Sequence, residues 1–217
     1  MPGLAAILRR MAGVPPRPPQ DGRGRRVVAA IECIQNQNAR DPGAAAYRAG
    51  NERVLRACAA HGVGIVQIPC PERECLGLRR HRPPGTSIRT MLDSPAGRAC
   101  CASLAEAVAD RLLDYARNGC AVVAVLGGNA RSPGCAVHPD AVGLSAPSGV
   151  FMRELARALG DRGLAVPFRG IRDADPAAER EDLEWLERRL ATVGRPPRCD
   201  AEAATARAGA HHGRRQP

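Results

Sequence analysis

Four short aliphatic, β-branched runs punctuate the chain, and the stretch after each carries apolar residues at helical spacing. The runs cover 26–33, 64–70, 121–127 and 165–171, lengths that suit strands. After the first, Tyr47, Val54, Leu55 and Cys58 fall on one helical face, which His61 and Gly62 bring to an end. After the second, Leu104, Val108, Leu112 and Tyr115 repeat the pattern up to Asn118 and Gly119; after the third, Phe151, Leu155, Ala158 and Leu159 run to Gly163. A charged, amphipathic last helix is marked by Leu183, Leu186 and Leu190. Strand alternating with helix predicts a parallel sheet covered on both faces. Right-handed crossovers then give a doubly wound, four-stranded α/β sheet, a three-layer arrangement of the flavodoxin or Rossmann kind.

Composition changes this picture at its ends. The chain has 217 residues and a net charge of +10, and all 32 of its basic residues are Arg. A mechanism that needs a lysine amine is excluded. The positive charge is uneven. Residues 1–26 carry six Arg against Asp21, and residues 194–217 five Arg against Asp200 and Glu202. Residues 27–193 hold the remaining 21 Arg against 19 acids and are nearly balanced. The expected organisation is one α/β domain over 27–193 between two disordered basic tails. A specific nucleic-acid partner is not expected, because the basic excess belongs to the tails. The first apolar stretch is too short for a signal peptide, and no run approaches the roughly 18 apolar residues of a membrane span. The location expected is cytoplasmic, where the nine cysteines would be kept as thiols.

The positions of those cysteines carry the chemistry. In a doubly wound sheet, ligands bind beyond the carboxyl ends of the strands. Cys33 ends the first run, Cys70 ends the second in "IVQIPCPE", and Cys135 follows the third in "VAVLGGNARSPGC". Taken singly, each is better explained as a small buried hydrophobe. Taken together, three thiols at one rim should converge, and a metal that neutralises their charge is the natural occupant. The set suits a zinc ion or a [4Fe–4S] cluster with one iron lacking a protein thiolate. The amide row 35–38, with Asn36 and Asn38 among its members, would donate hydrogen bonds to cluster sulfurs or to a polar substrate. The connection 70–96 is long, and long ordered loops usually line or cover a site. Its "RRHR" at 79–82 reads as a solvated loop, and Cys75, Cys100 and Cys101 are the remaining cysteines placed to add a fourth ligand.

Three short motifs resemble the 2-thiouracil desulfurase family, a group long catalogued only as a domain of unknown function. They are Cys33 with Arg40 and Gly43; Cys70, Pro71 and Glu72; and Ser132, Pro133 and Cys135. The resemblance spans 27–159. Departures are "IQNQNARDPG" after the first cysteine, "ERECLGLRRHRPPG" after the second and "AVHPD" after the third. The resemblance implies a [4Fe–4S] cluster held by Cys33, Cys70 and Cys135, whose open iron takes the sulfur of a thiolated small molecule. Within that reading Glu72 is the candidate base, Ser132 positions water or substrate, and Arg40 pairs with a substrate anion or an acidic neighbour. His138 is a further acid/base and substrate-binding candidate.

Two rivals use the same thiols. One is a non-catalytic iron–sulfur or zinc protein that carries or senses, and the other a metal-free cysteine-nucleophile transferase. A small thiolated substrate is the expected partner, no membrane is involved, and a homodimer is compatible with every reading.

Overall fold

The computed structural model describes residues 22–194 apart from residue 142. Both basic tails expected from composition lie outside these residues, except for the last few positions of the N-terminal one. In chain order the elements are β1 (Arg26–Ile31), α1 (Glu32–Gln35), α2 (Glu52–Ala60), β2 (Gly64–Ile68), α3 (Pro71–Leu76), α4 (Ile88–Asp93), α5 (Pro95–Arg117), β3 (Ala121–Gly127), α6 (Val150–Asp161), β4 (Phe168–Gly170) and α7 (Pro176–Thr192). A 3₁₀ turn, Gln37–Ala39, follows α1.

The four strands form one parallel sheet in the order β2-β1-β3-β4. β1 is central. All of it beyond Arg26 is buried, which is why its sequence is a continuous apolar run instead of an alternating one. β2, at an edge, alternates in exposure along its length. On one face α2 packs against α7, and on the other α5 packs against α6. Leu112 of α5, Phe151 and Leu155 of α6 and Leu186 and Leu190 of α7 are fully buried. Because the connections leave β1 and β3 in opposite directions, a crevice opens at their carboxyl ends.

Local chemistry sets the helix starts. Asn51 accepts from the Val54 amide and begins α2 there, so Tyr47 lies outside the helix on whose face its spacing had put it. Ser94 accepts from the Gly97 amide at the start of α5, and Asp175 from the Ala177 and Ala178 amides at the start of α7. Proline occupies the first turn of α3, α5 and α7, where its missing N–H costs nothing. β4 is shorter than the expected 165–171: only Phe168, Arg169 and Gly170 pair with β3. No helix among the described residues is long and apolar enough to cross a membrane.

A disulfide joins Cys75 of α3 to Cys100 of α5, with Cα atoms 6.0 Å apart. This corrects the expectation that every cysteine is a free thiol, and it withdraws Cys75 and Cys100 from any fourth-ligand role. The two were unreadable as a pair because 25 residues of loop and helix separate them. Cys101 points instead into the core and is fully buried.

Candidate functional site

Segments following all four strands line a single cleft of about 890 Å³ at the carboxyl end of the sheet. Cys33, Cys70 and Cys135 all line it. Cys33 lies in α1, two residues past the end of β1. Cys70 is the N-cap residue of α3, held there by Pro71 at the first helical position. Cys135 is brought back from a longer loop when the Gly128 amide donates to its carbonyl at 2.9 Å. Two glycines permit that return. A Cβ on Gly128 would sit 2.7 Å from the Cys135 sulfur, and one on Gly149 would sit 2.3 Å from the Cys135 nitrogen and the Gly134 carbonyl.

Each thiol has a different polar neighbour. The Cys33 sulfur faces Nη2 of Arg40 at 3.8 Å. The Cys70 sulfur faces Nη2 of Arg80 at 3.6 Å. The Cys135 sulfur lies 3.0 Å from the Ser132 hydroxyl, which donates to Oε1 of Glu72 at 2.8 Å. A protonated Cys135 therefore donates to Ser132 while Ser132 donates to Glu72, so thiol, hydroxyl and carboxylate form a chain. The Gly134 amide adds a second donor to Oε1 of Glu72 at 3.3 Å.

Burial pushes all three thiols upward. Desolvation raises Cys70 to about 11 and outweighs the helix-start hydrogen bond that favours its thiolate. It also raises Cys33, against the pull of Arg40, and lifts Cys135 well above the ordinary thiol range. Cys135 feels both Cys33 and Cys70, and Cys70 feels Cys33, so the three sulfurs are within electrostatic reach of one another. At neutral pH they are protonated in the absence of a bound cation. Three buried, clustered thiols beside a carboxylate form a donor set suited to thiolate-bound iron. Among the described residues no three His, Cys, Asp or Glu side chains form a group able to hold a single metal ion.

A second layer fixes the loops. Asp173, three residues beyond β4, is buried and accepts from Arg40 at 2.7 and 2.8 Å, from Nε2 of Gln37 at 3.2 Å and from Nδ2 of Asn129 at 2.9 Å. One carboxylate thus ties together the segments after β1, β3 and β4. Glu32, also buried, accepts from the Cys70 amide at 3.2 Å and from Arg73 at 2.8 Å, which joins α1 to α3.

The expected site residues divide accordingly. Cys33, Cys70, Cys135, Glu72, Ser132 and Arg40 all line the cleft. Asn36 and Asn38 do not. They are exposed, and the Asn36 side-chain Oδ1 accepts from the Asn38 backbone amide and from its Nδ2, capping the 3₁₀ turn. The buried amide of that row is Gln37. His138 lies in a neighbouring hollow with Arg169, Arg172 and Asp182, its ring Nε2 2.7 Å from the Ala130 carbonyl. It does not line the cleft that holds the thiols. The "RRHR" segment is not uniformly solvated, because Arg80 is only 2 % exposed. Gln37, a member of the expected amide row, donates to the Cys33 carbonyl and to Asp173; Arg80, Asp173 and Asn129 were missed as site residues, since nothing in spacing or residue type distinguishes them from ordinary loop polar groups.

Comparison with protein-family models, curated proteins and solved structures found no match.

Proposed function

We propose that the protein is an iron–sulfur enzyme that removes sulfur from a small thiolated molecule, with Cys33, Cys70 and Cys135 holding a [4Fe–4S] cluster. The observation that carries this reading is the convergence of three thiols from three separate loops on one cleft, with Ser132 bonded at once to Glu72 and next to the Cys135 sulfur. A zinc ion would need the three sulfurs gathered about one point, at Zn–S distances of about 2.3 Å. A cube spreads its ligands over separate irons and suits this site better. When bound, such a cluster supplies a thiophilic Lewis acid at the iron that lacks a protein ligand.

The chain's own groups do the rest. Glu72 is the base. Its Oε1 is fixed by Ser132 and the Gly134 amide, and its Oε2 faces Arg80 Nε at 3.8 Å. The carboxylate takes the proton of a water directed at the carbon of a C=S group, and Ser132 holds that water or the substrate in line. Arg40 gives its Nη2 to Asp173 and Cys33 and its Nη1 to the Ala44 carbonyl, so it braces the loop and is not free to clamp a substrate anion. Arg131, Arg172, Asp41 and Asp175 also line the cleft, two charges of each sign, a balance that favours a neutral substrate over a strongly charged one.

The test is sulfide release from 2-thiouracil by anaerobically reconstituted protein. The account expects sulfide and the desulfurised base in equal amounts, and loss of turnover in Glu72→Gln with the cluster retained. A loaded protein that releases no sulfide from any thiolated base is a carrier or sensor, and the enzymatic reading fails.

A further inference from the structure

The two guanidiniums that touch the thiols are not equivalent. Arg40 is neutralised in place, because both oxygens of Asp173 accept from its Nη2 at 2.7 and 2.8 Å. Arg80 has no such partner. Its Nη1 donates to the Leu78 carbonyl at 2.7 Å and its Nη2 to the Ala39 carbonyl at 2.5 Å, and neither acceptor carries a formal charge. Its Nε has no hydrogen-bond partner and lies 3.8 Å from Oε2 of Glu72, too far for a hydrogen bond.

The side chain is 1 % exposed and lines the cleft. It hangs from a backbone at φ +49°, a conformation uncommon for a residue with a Cβ. A buried cation with a strained backbone, an unused donor and one distant carboxylate is an expensive thing to keep unless an anion completes it. The sulfur of Cys70, 3.6 Å from Nη2, is the group in position to become that anion.

We propose that Arg80 is a positioning residue that balances the charge of the Cys70 thiolate in the loaded site and holds that sulfur in register with Glu72. The inference rests on the cluster reading above and names which side chain sets the cluster's electrostatics. Glu72 lies on the Nε side of the same guanidinium, so a single cation stands between the ligand and the base. Arg80 is not itself a catalytic residue, since it acts through Cys70 and Glu72.

The experiment is an anaerobic reductive titration of the loaded protein, followed by the cluster's absorption and electron paramagnetic resonance. Removing a positive charge beside a ligand sulfur disfavours the more negative reduced state. Arg80→Gln should lower the ratio of reduced to oxidised cluster at a fixed poise by about tenfold or more, as expected for a unit charge at short range in a partly buried site. Arg80→Lys keeps the charge and should stay near the wild-type ratio. Arg131→Gln, which removes the same charge at the exposed mouth of the cleft, should change it far less. Equal ratios in wild type and loaded Arg80→Gln overturn the inference and leave the cluster reading standing. So does an Arg80→Lys protein that melts like wild type but takes up no iron. A wild-type chain that takes up no iron and sulfide removes the cluster reading, and this inference with it.

Discussion

Breaking the Cys75–Cys100 bridge perturbs the site from outside the cleft, and its effect can be worked out in advance. The bridge ties α3, which carries Glu72, to the second turn of α5. It closes a loop of 25 residues that contains Arg80. If the bridge acts by restricting the unfolded chain, a loop of that length corresponds to about 3.5 kcal/mol at 25 °C. A domain of this size shifts its melting temperature by roughly 2–4 °C per kcal/mol, so loss of the bridge should lower it by about 10 °C. Melts of oxidised wild type, of wild type treated with a dithiol, and of Cys75→Ala/Cys100→Ala, followed by circular dichroism, measure this directly. Mass spectrometry reports the gain of two protons on reduction. The dithiol should have no effect on the double variant. Identical melting temperatures for oxidised and reduced wild type, with reduction confirmed by mass, would refute the reasoning and show that α3 is held without the bridge.

Further outcomes follow from the same geometry. Glu72→Gln should lower turnover by about 10²–10⁴-fold, the usual range for losing a general base, while iron content stays constant; unchanged turnover takes Glu72 out of the mechanism. Phe151→Ala removes a fully buried side chain of α6 from the core and should cost about 3–5 kcal/mol in denaturant unfolding. Burial raises the Cys58 thiol from 9.0 to about 11, so its neutral form is favoured in the folded state. The stability it contributes is complete below pH 9 and is lost as pH rises through about 11, a change of about 2–3 kcal/mol. Cys58→Ala should flatten that part of the melting profile between pH 9 and 11, and an unaltered slope would contradict the assignment.

The first three strands are legible because each is a short aliphatic, β-branched run; β1 beyond Arg26 and most of β3 are buried, and β2, at the edge, still buries Val66 and Ile68. The fourth is not, because only three of its residues pair with β3, and the residue just before them, Pro167, has no amide to give. Cys33, Cys70 and Cys135 are visible from topology alone: parallel strands deliver whatever follows them to one rim. What topology does not deliver is direction. Asn36 and Asn38 look like ligands by composition, yet short amide side chains bond readily to their own backbone, and here they close a turn. Arg80 and Asp173 have the opposite history. Each sits in a stretch of charged residues that reads as solvated. Each is buried because a loop from a distant strand folds over it, a contact that no local pattern encodes.

Iron and acid-labile sulfide per chain, measured after anaerobic reconstitution, test the central claim most directly. The account predicts about four of each for wild type, an absorption band typical of thiolate-bound cluster iron, and loss of both on changing any one of Cys33, Cys70 or Cys135 to Ala. A colourless wild-type protein, or a cluster that survives replacement of one of these three residues, would contradict it.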